Sequence, residues 1–164
     1  MNLKKSLFSV IVSILVLNLI NIANASKPLF QYIKPVSAQC TRVVDGDTII
    51  VKIAGVKEIV RLIGVDTSET KHPRMPVQYF GKEASMFTTN MVEGKKVRLE
   101  FDQNQRDKYK RLLAYVYLED GTFLNAEIIK QGYGYAYTKF PFKYMQEFRI
   151  YEKEARINKR GLWN

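Results

Sequence analysis

Along the first half of the chain, apolar residues come in short β-branched runs; along much of the second half they recur at helical spacing. Thr48–Ile53 (T-I-I-V-K-I) and Glu58–Ile63 (E-I-V-R-L-I) are separated by Ala-Gly-Val-Lys, which predicts a hairpin with Gly55 in its loop. Thr41, Val43 and Val44 extend the pattern upstream into a first strand. Phe80, Ala84, Phe87 and Met91 then fall at spacings of four, three and four, with Gly94 where a helix stop belongs. Lys96–Phe101 and Leu112–Leu118 read as two more strands, joined by the polar connection Asp102–Arg111. Helices are predicted over Leu124–Gln131 and over Tyr144–Asn158, the latter with Tyr144, Phe148, Tyr151 and Ala155 on one face. The expected fold is α+β: a five-stranded Greek-key barrel of OB type with about three α-helices, a common platform for single-stranded nucleic acids and oligosaccharides.

The ends and the charge narrow this picture. Lys4 and Lys5, an apolar block from Leu7 to Ile20 and the small residues Ala23-Asn24-Ala25 have the three-part pattern of a secretory signal peptide over residues 1–25. That block is 14 residues and contains Ser13 and Asn18, short of the ~20 needed to span a bilayer. Cleavage after Ala25 and export, to a periplasm or the medium, are the expectation. A polar lead over 26–38 precedes one domain, 39–164, and nothing in the sequence implies a stable protein partner, so a monomer is expected. The chain has 26 Lys and Arg against 16 Asp and Glu, net +10, and removing two leader lysines leaves +8. A protein this basic is expected to meet polyanions. The single cysteine, Cys40, allows no intramolecular disulfide and reads as a small buried thiol.

Two acidic stretches flank the predicted hairpin. In V-D-G-D-T, Asp45 and Asp47 bracket Gly46; after the third strand comes R-L-I-G-V-D-T-S-E, Arg61 to Glu69. Sequential barrel strands are neighbours, so Asp66 is expected close to Asp47. Two carboxylates with no thiolate or imidazole form a hard-oxygen site suited to Ca²⁺ or Mg²⁺. Ordinary turn and helix-cap aspartates are the alternative, and spacing alone leaves the two readings even.

A third stretch, D-K-Y-K-R-L-L-A-Y over Asp107–Tyr115, completes a set. D-G-D-T, R-L-x-x-V-D-T-x-E and D-K-Y-x-R-x-L-A-Y resemble the thermonuclease family, staphylococcal nuclease-like proteins, in order and spacing. Glu69-Thr70-Lys71-His72-Pro73, the E-A-S-x-F pattern within Gly81–Phe87, Asn125-Ala126-Glu127, Gln131-Gly132 and Gly161-Leu162-Trp163 are similar too, so the resemblance covers about residues 40–163. It implies a Ca²⁺-dependent phosphodiesterase on an OB barrel that cuts DNA and RNA, endo- and exonucleolytically, to 3′-phosphate products. Carried over, Asp47 and Asp66 are carboxylate ligands to Ca²⁺ and Thr67 a carbonyl ligand, with Asp45 and Thr48 as supporting polar groups. Glu69 activates the attacking water, Arg61 and Arg111 bind the scissile phosphate, and Lys108, Tyr109 and Tyr137 belong to the nucleotide pocket.

The chemistry is coherent, because fixed guanidiniums and a divalent cation stand where negative charge develops, and arginine's planar fork suits the role better than lysine. Each charge also has a bland reading as a solvated surface group, and His72, the only histidine, sits in a turn-like Lys-His-Pro segment without a catalytic duty. Most rings of Tyr133, Tyr135, Tyr137, Phe140, Phe142 and Tyr144 are expected in the core. Two departures from the family pattern stand out: Ser68 replaces a proline, and Lys110 replaces a glycine, where lysine is strained if the position needs positive φ. The competing reading is a catalytically silent nucleic-acid-binding module, which the retained Asp47, Asp66, Glu69, Arg61 and Arg111 disfavour. A sugar-binding barrel leaves the paired arginines unexplained.

Overall fold

Alternation decides which face of each strand is buried, and the computed structural model, which describes residues 34–68 and 79–164, follows it closely. The strands are β1 Val36–Asp45, β2 Thr48–Ile53, β3 Val56–Leu62, β4 Val65–Asp66, β5 Lys96–Glu100, β6 Leu112–Leu118 and β7 Tyr135–Ala136. The helices are α1 Gly81–Val92, α2 Leu124–Lys130 and α3 Met145–Ile157, followed by a 3₁₀ turn at Gly161–Trp163. Strands β1-β2-β3-β6-β5 close into a barrel, and β4 pairs with β7 as a separate ribbon. Every barrel pairing is antiparallel except β3 with β6. The expected α+β barrel with three helices is therefore what forms.

Ile49, Val51 and Ile53 of β2, Val60 and Leu62 of β3, Val97 and Leu99 of β5, and Leu112, Ala114 and Val116 of β6 point into the barrel and are buried. Burying each such side chain stabilises by roughly 1.5–3 kcal/mol. Cys40 shares this core, and burial pushes its thiol up to about 11. Such a thiol is protonated and inert.

Several boundaries differ from the sequence reading for identifiable reasons. Ile53 pairs with Val56, so the hairpin closes through two residues, Ala54 (φ 47°) and Gly55 (φ 84°), and the twist of a tight primed turn draws Val56 and Lys57 into β3. β1 begins at Val36, inside the expected lead, because Val36–Gln39 pair with Lys96–Leu99 of β5. Phe80 lies outside α1: it is left-handed (φ 64°), and the helix buries Gly81, Ala84, Thr88 and Val92, while Phe87 stacks on Tyr133 with centroids 4.2 Å apart. The ribbon β4–β7 was not legible at all, since two-residue strands carry no periodic signal. The leader over 1–25, Glu69 and His72 lie outside the described residues.

Candidate active site

The turn between β1 and β2 delivers Asp47, and its shape depends on Gly46. A Cβ on Gly46 would lie 2.8 Å from Thr67 Cγ2 and 2.9 Å from both Thr67 Oγ1 and Ala84 Cβ, so glycine is needed for space between the turn, α1 and the 66–68 segment. Thr88, buried in α1, donates to the Gly46 carbonyl at 2.7 Å and fixes the turn against the helix. The aspartates therefore bracket a glycine because a third segment packs there. On the other side, Leu62 N donates to Asp47 O (2.9 Å), tying the turn to the end of β3.

Asp47 is only 6% exposed, and its carboxylate is heavily engaged. Oδ1 accepts from Thr48 Oγ1 (2.9 Å); Oδ2 accepts from Thr67 N (2.9 Å) and Thr67 Oγ1 (3.1 Å). Arg61, pointing from β3, binds Asp47 Oδ2 through Nη1 (2.7 Å) and Asp66 Oδ1 through Nη2 (2.9 Å). Its Nη1 also donates to the Val65 carbonyl at 2.8 Å. The guanidinium thus stands between the two carboxylates and offsets a repulsion that would otherwise be costly in a half-buried site. Its Nε–H and one Nη2 hydrogen are uncommitted among the described residues, which leaves one planar edge able to take an anion.

Asp66 is positioned by the ribbon: Val65 pairs with Ala136 and Asp66 with Tyr135, and Tyr137 N donates to Gly64 O at 2.9 Å. Gly64 at φ 73° carries the chain into this ribbon, and any Cβ there would sit 2.5 Å from Phe142 Cζ, so the position demands glycine twice over. Asn125, fully buried at the start of α2, accepts from Val116 N (2.9 Å) and donates to Ile63 O (3.0 Å) and Ala114 O (3.2 Å). It locks the β3–β4 turn to β6.

The second cation comes from the polar connection. Parallel pairing sets Arg61 opposite Leu113, two residues beyond Arg111. Asp107 organises the turn: its Oδ1 accepts from Tyr109 N (2.9 Å) and Arg111 N (3.0 Å), and its Oδ2 from Arg111 Nε (2.7 Å). Both terminal nitrogens of Arg111 are left without a partner among the described residues, the arrangement needed for a two-point grip on a phosphate. Tyr109, 67% exposed, carries Lys108 Nζ 4.9 Å and Arg111 Cζ 5.4 Å from its ring centre. Lys110 is at φ 65°, so lysine does occupy a left-handed position. Tyr135, Tyr137 and Phe140 stand exposed, the last two with centroids 6.2 Å apart, whereas Tyr133, Phe142 and Tyr144 pack against the core, so half of these rings, and not most of them as expected, belong to it.

The residues expected from sequence therefore fall into two groups: Asp47, Asp66, Thr67, Thr48 and Arg61 bonded together, and Arg111, Lys108 and Tyr109 in one turn, with Tyr137 tied to the backbone leading into β4. The first group fits a hard cation. The oxygens it offers, carboxylate from Asp47 and Asp66 and hydroxyl from Thr48 and Thr67, are hard donors; among the described residues no group of three or more His, Cys, Asp or Glu side chains could hold a metal ion.

Comparison with known proteins gives the family. The family model described as staphylococcal nuclease homologue matches residues 59–164. The chain belongs to the staphylococcal nuclease family. It is 44% identical over 124 residues to the thermonuclease of Staphylococcus hyicus, covering 75% of this chain and 73% of that protein. The thermonuclease of Staphylococcus intermedius is 46% identical over 123 residues (74% and 73%), and endonuclease YncB of Bacillus subtilis 43% over 134 residues (80% and 63%). Beyond the family motifs, sequence reasoning missed the positioning roles of Gly46, Thr88 and Asn125. A threonine inside an otherwise apolar helical face was the available signal for Thr88; the contacts of Gly46 and Asn125 join segments far apart in sequence and left none.

Proposed function

We propose that this protein is an exported, Ca²⁺-dependent nuclease that hydrolyses phosphodiester bonds of DNA and RNA, preferring single strands. Membership of the staphylococcal nuclease family and relatives named thermonuclease and endonuclease support the reaction class. The observation that carries the mechanism is the Asp47–Arg61–Asp66 bridge with the open edge of Arg111 in the turn just before the neighbouring strand β6. Asp47, Asp66 and the Thr67 carbonyl would hold the cation, which supplies divalent positive charge against the phosphoryl oxygens as negative charge builds there. With so few protein ligands, affinity in the roughly 10⁻⁴–10⁻³ M range of extracellular calcium sites is expected.

In this reading Arg61 and Arg111 grip the phosphate undergoing substitution through their uncommitted edges, positive charge preorganised for the transition state. Glu69 takes a proton from a water that attacks phosphorus; the P–O5′ bond breaks, and the departing oxygen is protonated by solvent. The products are a 3′-phosphate and a 5′-hydroxyl. Tyr109 and Tyr137 offer faces for bases, with Lys108 beside the backbone phosphates. The leader's charged, apolar and small-residue pattern supports export.

The test is release of acid-soluble nucleotides from heat-denatured DNA and from RNA by the chain beginning at Ser26. Cleavage with calcium, much slower turnover with magnesium and none in excess chelator is the expected result. Undiminished cleavage in chelator would remove the metal from the mechanism, and binding without cleavage under every condition would favour the silent binding module.

A further inference from the structure

The turn Asp107–Arg111 contains a cation that takes part in no ion pair among the described residues. Arg106 is paired with Glu58 (2.9 Å) and Arg111 with Asp107 (2.7 Å), and Lys108 lies over the Tyr109 ring. Lys110, between them, is exposed, and its ammonium meets no carboxylate among the described residues. Its backbone is held firmly: Lys110 N donates to Asp107 O (2.9 Å), and Arg106 Nη1 donates to Lys110 O (2.8 Å). These bonds fix φ at 65°, a conformation that disfavours a lysine side chain relative to glycine.

From this combination, a strained, rigidly held and unpaired cation one residue from Arg111, we propose that Lys110 binds a backbone phosphate adjacent to the scissile one and makes this nuclease favour substrates that carry at least one flanking phosphate. The proposal rests on the nuclease reading above. It extends the grip of the turn by one nucleotide: Arg111 takes the reacting phosphate, the Tyr109 ring a base, and Lys110 the next phosphate along a single strand. Lysine suits such a contact, since one point charge on a flexible stem can follow a mobile strand without the geometric demand of a guanidinium fork.

The test compares Lys110→Gly, Lys110→Asn and Lys110→Arg with the parent. Glycine and asparagine both accept positive φ, so they remove the charge without adding strain, and arginine keeps it. Equilibrium binding of a fluorescent oligothymidylate in chelator, followed by anisotropy across a salt series, measures the contact whether or not cleavage occurs. Losing one phosphate contact should lower the slope of log K against log salt by about 0.7 in the Gly and Asn variants, and the Arg variant should retain the parental slope. Affinity for the oligonucleotide should fall by roughly threefold to tenfold in those two variants, while a dinucleotide with a single phosphate should bind all four proteins alike. Parental slope and affinity in both charge-removing variants would overturn the proposal, as would an equal loss on the dinucleotide, which would place Lys110 on the scissile phosphate. Failure of the parent to cleave would instead count against the nuclease reading and leave this measurement interpretable.

Discussion

Arg61 shows how one side chain carries two duties. It offsets the Asp47 and Asp66 charges in the folded chain while keeping an edge open for an anion, so its removal should cost more than rate. Arg61→Ala should lose about 1–3 kcal/mol of stability, because Asp47 is left buried with part of its bonding unmet. Arg111→Ala strips only a partly exposed pair and should lose no more than ~1 kcal/mol. Urea denaturation of the two variants checks this difference. At position 110, Lys110→Gly relieves a left-handed lysine and should raise stability by up to ~1 kcal/mol. The acids and arginines were legible in the sequence because their chemistry lies in their identity and spacing. The dual role of Arg61 was not, since its bond to Asp47 joins β3 to the turn before β2, and only the folded barrel brings them together.

At the scale of elements, the site is held by contacts that tie loops to helices. Asp102, at the end of β5, accepts from Tyr115 Oη (2.6 Å), Lys143 N (3.0 Å) and Gln103 N (2.8 Å), joining the polar connection to the segment before α3. Burial pushes its carboxyl up, but these hydrogen bonds, with the nearby Lys143 charge, outweigh that and hold it below the usual range. Tyr115 is driven the other way, first by burial, then by its hydrogen bond to Asp102 and by that carboxylate's charge. A carboxyl lower in the folded than the unfolded chain contributes stability that is fully present above the ordinary aspartate value of about 3.9 and is lost as pH falls from there through the folded value. Asp102→Asn should flatten this acid limb in thermal melts across pH 2–6, and an unchanged limb would mean other carboxylates set it. Gly46→Ala forces a Cβ against Thr67 and Ala84 and should cost about 1–3 kcal/mol, with Thr67 displaced from Asp47. Barrel strands and helices were readable because burial imposes a period; the start of α1 and the ribbon carrying Asp66 were not, because left-handed Phe80 and two-residue pairing follow from tertiary contacts.

For the whole molecule, a net charge of +10 and the exposed rings of Tyr109, Tyr137 and Phe140 are what the proposed reading would use to hold a single polyanionic strand. Binding should weaken steeply with salt as counterions are released, and heat-denatured or A·T-rich DNA should be cut faster than stable G·C duplex. The fold class was apparent from sequence because burial gives the strands their period, and the residues of the candidate site could be named because the three motifs fall at the ends of β1, β3 and β6. The most direct test of the account is the calcium-dependent, single-turnover cleavage rate of a single-stranded oligonucleotide by the parent and by Arg61→Ala and Arg111→Ala, each verified as folded by circular dichroism. The account predicts a loss of at least ~10² in both variants, the scale of a removed transition-state contact; near-parental cleavage by either folded variant would contradict it.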